Sequence, residues 1–243
     1  MNCTTLAIVL HTLRYSDSQS VVYMYTGQFG MVSAMVRRAK GSSGSGGQCA
    51  AMQPLSLVEV ELNYREDKQM QNIRRIGVHH PWKSIQFEPG KVCVAMFLGE
   101  FLWNALRGEG VNGNLFDFIC RSLEWFDESV HSLANFHLVM LLKMTRFLGF
   151  WPSVEGERAR GRVFDMLNGC FAAVEPVHGQ FIGADEARLV PLLLKMNYMQ
   201  MWRVKFTRNE RRRMLDVIVW YYRLHVPGFR DVQSLEVLKE VFD

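Results

Sequence analysis

The hydrophobic period of this chain changes once, near residue 80, and that change limits what it can fold into. Upstream, Leu6 to Arg14, Ser20 to Tyr25, Met31 to Arg38, Leu55 to Asn63 and Met70 to Val78 are short, β-branched runs. They are separated by Ser16-Asp17-Ser18, Gly27 to Gly30, a Gly/Ser tract and Arg65 to Lys68, all turn-forming sequences. Leu57-Val58-Glu59-Val60-Glu61-Leu62 and Met31 to Val36 alternate in the manner of strands with one buried and one wet face. Five short antiparallel strands within residues 1–80 predict a small barrel, because closing the sheet removes its edges. The tract Gly41 to Gly47 is expected to be a mobile loop between the third and fourth strands, since each glycine loses much backbone freedom on ordering. It is no phosphate-binding P-loop, because Gln48-Cys49 stands where Lys-Ser/Thr is required.

Downstream the pattern is helical. Val92 to Leu106 is apolar nearly all round, interrupted at Gly99, Glu100 and Asn104, as in a central helix packed on several sides. Leu115, Phe118, Ile119, Leu123 and Phe126 mark a second helix, and Asn135 to Leu148 a third, closed by Gly149. Residues 151–185 read as irregular, and include the basic run Arg158 to Arg162. Thr207-Arg208-Asn209-Glu210 is a capping box that starts a helix running through Leu215, Ile218, Val219 and Tyr222 until Pro227-Gly228, and Leu235 to Phe242 forms a last short one. The fold class is therefore α+β, with a β domain over residues 1–80 and a helical domain over residues 81–243.

Composition narrows the function. An apolar share of 49% with 21% charged residues excludes disorder and collagen-like structure. The five cysteines, at 3, 49, 93, 120 and 170, make neither a disulfide framework nor a CxxC pair, which suits a reduced compartment. No signal peptide or spanning run is legible, so the expectation is a cytoplasmic protein without a membrane partner. The seven histidines form no HxxxH or HExxH, and there is no GxSxG elbow. His79-His80 lacks an evident third metal ligand, so neither an enzyme nor a cofactor is expected. The formal charge of +4 is unevenly spread, at +3 over residues 1–80, −2 over 81–156 and +3 over 157–243. Arg203 to Arg213 alone carries +5, enough for a polyanion to respond to.

Several segments resemble a known family. Val9-Leu10-His11-Thr12-Leu13-Arg14-Tyr15-Ser16-Asp17, Tyr25-Thr26-Gly27-Gln28-Phe29-Gly30-Met31-Val32 and Arg38-Ala39-Lys40-Gly41 resemble the opening of the bacterial RecO recombination mediators. Gln53-Pro54-Leu55 and Leu141 to Pro152 continue the likeness, and Tyr221 to Phe229 with Ser234 to Lys239 resemble the ending of one branch. The resemblance implies an OB-fold barrel joined to a helical domain, in a non-catalytic protein of DNA repair and recombination. Such a protein binds single- and double-stranded DNA and anneals complementary strands. It also binds the acidic C-terminal tail of the single-stranded-DNA-binding protein and works with RecR to help load RecA, acting at the nucleoid. Many members carry a four-cysteine zinc site. Here the corresponding stretch, Gly169-Cys170 to Gly183, retains one cysteine, which implies that the metal is absent and residues 151–185 stand in place of a zinc-binding insert.

With that resemblance, three sets of residues become candidates. The barrel carries Arg14, Arg37, Arg38, Lys40, Lys68, Arg74 and Arg75, which can track phosphates while Tyr15, Tyr23, Tyr25, Phe29 and Tyr64 offer stacking platforms worth roughly 1 to 3 kcal/mol per base. The bland alternative is that the tyrosines fill the barrel and the cations are a solvated face. The second set is Arg203, Lys205, Arg208, Arg211 and Arg212, of which Arg208, Arg211 and Arg212 share one side of a helix start. Its alternative is a surface patch in which Arg212 pairs with Asp216. The third set is Phe136, Lys143, Arg146 and Phe147, read as an apolar groove with a basic rim for the acidic partner tail, or else as plain core packing. The competing function is a protein-interaction module without DNA affinity.

Overall fold

The structure, a computed structural model, describes residues 2–38, 42–130, 134–154 and 163–241. Strands β1 (Asn2–Arg14), β2 (Gln19–Thr26), β3 (Gly30–Arg37), β4 (Leu57–Asn63) and β5 (Met70–His80) close into a barrel in the order β1-β2-β3-β5-β4. One pairing departs from the antiparallel expectation: β3 and β5 run parallel, over Ser33↔Met70 to Met35↔Asn72. A ring of five strands cannot alternate direction all the way round, so one neighbouring pair must be parallel.

Alternation decides what fills the barrel. Val32, Ala34 and Val36 of β3 point inward to meet Ala7, Val9, Val22, Met24, Val58, Val60 and Leu62. On β1 the run Ala7-Ile8-Val9-Leu10 is buried throughout, because its outer face is covered as well. The cover is helix α2 (Pro89–Ala105), which approaches so closely that a Cβ on Gly99 would lie 2.8 Å from the Leu10 carbonyl oxygen. The glycine that interrupts the apolar pattern of this helix is thus the point where helix meets strand backbone.

The Gly/Ser tract is not the expected loop. Helix α1 (Ser42–Ala51) occupies most of it, while Lys40 and Gly41 lie outside the described residues. Tertiary contacts supply what propensity lacks. Gln48 Nε2 donates to the Arg37 carbonyl at 2.8 Å, Ser56 Oγ to that of Ala50 at 2.8 Å, and Ala51 is buried with the barrel core.

Helices α2, α3 (Gly113–Glu128) and α8 (Ser234–Val241) belong to the same compact unit as the barrel, which runs to Glu128 and resumes at Val232–Val241. Gln233 and Ser234 donate their backbone N–H groups to the Glu100 carboxylate on α2, each at 2.8 Å. Buried Asp127 ties the end of α3 to the loop between β5 and α2 by accepting from the N–H groups of Lys83, Ser84 and Ile85.

The second unit spans Ser129–Asp231. Its core helices are α4 (Phe136–Met144), α6 (Val190–Lys195) and α7 (Arg208–His225), with the short α5 (Ala184–Ala187) beside them. Helix α7 begins at the capping box as the sequence requires: Thr207 Oγ1 accepts from Glu210 N–H at 3.2 Å, and Glu210 Oε2 accepts from Thr207 N–H at 2.9 Å. The segment expected to be irregular carries a three-stranded sheet, ordered β7 (Cys170–Ala172), β6 (Val163–Asp165), β8 (Phe181–Ile182). The run Arg158 to Arg162 lies outside the described residues. Strands of two or three residues give too short an alternation to read, and the turn after β6 is held by a buried carboxylate, Asp165, that accepts from Leu167 N–H, Asn168 N–H and Asn168 Nδ2.

Candidate nucleic-acid interface

The pairing of β3 with β5 stops at Met35↔Asn72. Past that point an open groove of about 950 Å³ is lined by Arg37 from β3, Arg74 and Arg75 from β5, and Gln48 from α1. Strand register brings two further predicted cations to this end of the barrel. Arg14 pairs with Ser20 and Gln19 with Arg37, while Arg38 N–H donates to the Ser18 carbonyl at 2.9 Å. Arg14 is itself engaged by Asp17. Lys68 is not part of the groove; it sits in the β4–β5 turn, next to the Arg65–Asp67 ion pair. Lys40 lies outside the described residues.

The aromatic platforms fare differently. Tyr25 is fully buried, its hydroxyl donates to the Gly110 carbonyl at 3.4 Å, and burial together with Glu109 pushes its pKa up to about 12. Its expected role as a stacking platform is therefore corrected: the residue belongs to the packing between barrel and helices. Tyr23 rests 5.0 Å from the Trp103 ring, against which His11 also stacks at 4.4 Å, and burial lowers the His11 pKa. Phe29 stacks on Tyr64 at 4.1 Å. Of the five, only Tyr15 is widely exposed, at 69%, in the β1–β2 turn beside Arg14. Period-two alternation predicts wet outward-facing positions, but in this barrel helices cover part of the outer face.

In the second unit the basic run divides. A 3₁₀ turn (Met201–Arg203) precedes α7, and the stretch from the turn to the helix is anchored by buried Met201 and Phe206. Asn135 Nδ2 donates to the carbonyls of Met201 and Val204, at 3.1 and 2.9 Å. Arg203, Lys205 and Arg208 are exposed, whereas Arg211 and Arg212 are half-buried. Arg211 turns back to donate from Nη1 to the Phe206 carbonyl at 2.6 Å, and burial with the charge of Arg208 lowers its pKa. Arg208, Arg211 and Arg212 do fall at i, i+3 and i+4 in the first turns of α7, but Arg211 is engaged with the chain itself. Arg211 closes the chain entering the helix, and its charge adds to complete burial in driving the His137 pKa down to about 3. Arg213 and Arg188 reach Glu186 and Glu210, at 3.4 and 3.7 Å.

The third set also separates. Phe136 is fully buried, 5.4 Å from the Tyr198 ring, and is a core residue rather than a groove wall. Lys143 and Phe147 are half-buried and Arg146 is exposed, and burial with the nearby Arg146 charge lowers the Lys143 pKa. Helical period alone cannot separate a groove from a core when Leu138 to Leu142 are all apolar and all buried. Among the described residues, no group of three or more His, Cys, Asp or Glu is placed to hold a metal ion, and no helix is long and apolar enough to cross a membrane.

Sequence reasoning passed over Trp202. It is 52% exposed between Met201 and Arg203, and the Arg203 guanidinium lies 5.3 Å from its ring centroid. In the string Met199-Gln200-Met201-Trp202 nothing distinguishes it from a core aromatic.

A closed five-stranded barrel in this order, with a helix between its third and fourth strands and cations along a strand-edge groove, defines an OB-fold protein with an appended helical region. The N-terminal domain description of recombination protein O matches residues 1–82, and its C-terminal domain description matches residues 86–234. The chain belongs to the recombination protein O family. It is 43% identical over 238 residues to a protein of Phocaeicola vulgatus and 41% identical over 240 residues to one of Bacteroides fragilis, with 98% of each chain covered. A relative in Flavobacterium johnsoniae is 31% identical over 242 residues, covering 100% of both chains. All three are named DNA repair protein RecO.

Proposed function

We propose that this protein acts in DNA repair as a non-catalytic recombination mediator that holds DNA through its cations. On this reading it binds single- and double-stranded DNA and anneals complementary strands. With RecR it helps load RecA onto DNA coated by single-stranded-DNA-binding protein, whose acidic tail meets the surface bearing Lys143, Arg146 and Phe147. It works in the bacterial cytoplasm at the nucleoid, without a cofactor.

The observation that carries the reading is the convergence of Arg37, Arg74 and Arg75 on one open groove of an OB-type barrel. Three guanidinium groups from two strands suit successive phosphates, which reward charge and are indifferent to sequence. Kinship with proteins named for DNA repair supports the same conclusion. The test is oligonucleotide affinity against salt. A phosphate-tracking protein loses affinity linearly in log[salt], by about 0.7 per neutralised phosphate on a single strand. Absence of any affinity at low salt would leave a protein-interaction module instead. A strand-annealing assay, and titration with a peptide of the acidic tail, check the remaining parts.

A further inference from the structure

We propose that Trp202 is a base-stacking residue and that it makes the cationic patch of the second unit selective for single-stranded over duplex DNA. The inference rests on the DNA-binding reading above and adds what that reading leaves open, namely how a patch of charge tells one form of DNA from the other.

Cations alone do not discriminate, because both forms present phosphates. Base faces do discriminate: in a duplex they are covered by neighbouring base pairs, and in a single strand they can be offered to a ring. Trp202 has the features such a ring requires. It is followed in the chain by the exposed cations Arg203, Lys205 and Arg208, and half of its surface is left in water, a costly placement for the largest aromatic side chain. Its indole N–H donates to the Met199 carbonyl at 3.0 Å, so its polar edge is satisfied within the chain and what it shows to solvent is chiefly apolar ring. The Arg203 guanidinium, 5.3 Å from the centroid, adds a cation to the platform.

The ring is also held in place. Met201 and Phe206 are buried on either side of it in the chain, and Asn135 fastens the carbonyls of Met201 and Val204. A platform fixed before binding loses little conformational freedom when a base arrives. In the barrel Tyr25 is buried and Tyr23, Phe29 and Tyr64 pack on other rings, so among the five aromatic residues considered there Tyr15 is the exposed one.

The experiment measures binding of the full chain to an oligo-dT strand, to the same strand carrying abasic sites, and to a duplex of equal length. Trp202→Ala should weaken oligo-dT binding by roughly five-fold or more, leave duplex binding unchanged, and keep the salt slope, because stacking displaces no counterion. Trp202→Phe should keep most of the affinity, and the abasic strand should bind wild type and Trp202→Ala alike. Equal loss on strand and duplex, or no loss on either, would overturn the proposal; a thermal melt shows whether an equal loss reflects misfolding, and Trp202→Phe then decides with the fold intact. Arg203→Glu with Arg208→Glu separates the two levels. If charge reversal flattens the salt slope while Trp202→Ala is silent, DNA binding at the patch stands and stacking falls. If the slope does not change, the patch is not a DNA site and the proposal falls with it.

Discussion

His178 Nε2 lies 3.2 Å from Oδ2 of Asp165, tying the loop before β8 to the end of β6. The same carboxylate receives Asn168 Nδ2 at 2.7 Å and two backbone N–H groups. Burial alone would raise the Asp165 pKa; the hydrogen bonds from Asn168, His178 and Leu167 outweigh it and hold the pKa below the usual carboxylate value. A depressed folded pKa contributes stability that is present above the unfolded value, near 3.9, and is lost as pH falls through the folded value. The melting temperature should therefore drop as pH falls below about 4. Asp165→Asn should cost about 1 to 3 kcal/mol at neutral pH and flatten that acid limb. The flattening should be partial, because the Asp127 pKa is depressed in the same way by bonds from Lys83, Ile85 and Ser84 that outweigh its burial. Thermal melts across pH check both statements.

Gly99→Ala should destabilise the barrel unit. Alanine gains about 1 kcal/mol in helix propensity over glycine. The added Cβ, however, would lie 2.8 Å from the Leu10 carbonyl oxygen and 3.1 Å from Pro54 Cβ, and backbone cannot give way cheaply. Overpacking of this kind costs about 1 to 3 kcal/mol, so the net effect in a denaturant titration is a lower midpoint.

Asn135→Ala should loosen the turn that carries Trp202. The substitution leaves the Met201 and Val204 carbonyls without their side-chain donor, at a cost of about 1 to 3 kcal/mol. Thr207→Ala, which removes one half of the capping box a few residues on, should cost about 1 kcal/mol. Hydrogen exchange should show faster opening at residues 201–207 for the first variant and at the first turn of α7 for the second.

Charge reversal should separate groove from turn within the barrel. Arg74→Glu with Arg75→Glu is expected to weaken oligonucleotide binding and lower its salt slope by about 0.7 for each phosphate no longer neutralised. Lys68→Glu, in the turn beside the Arg65–Asp67 pair, should change the slope much less. Equal effects from both would show that the groove is not the binding path.

Much of the architecture is legible in the sequence because its determinants are local. Period-two alternation across Met31 to Val36 and Leu57 to Leu62 locates β3 and β4, and the Thr207–Glu210 box fixes the start of α7 within a single turn. The candidate sites are legible only as sets of cations. Which cations meet depends on register: Arg37 lines one groove with Arg74 and Arg75, Lys68 stays in a turn, and Arg211 turns inward to the Phe206 carbonyl.

The amino-acid order by itself determined the change of period near residue 80, the number of barrel strands, the main helices and the uneven spread of charge, since each follows from residues within a few positions of one another. Tertiary structure decided the rest. Closing an odd ring made β3 and β5 parallel, and packing on the barrel made a helix of Ser42–Ala51, whose propensity opposes one. Burial took Tyr25 and Phe136 out of solvent and left Trp202 in it. Burial is a property of what lies across a surface, and the residues that supply it are distant in the chain.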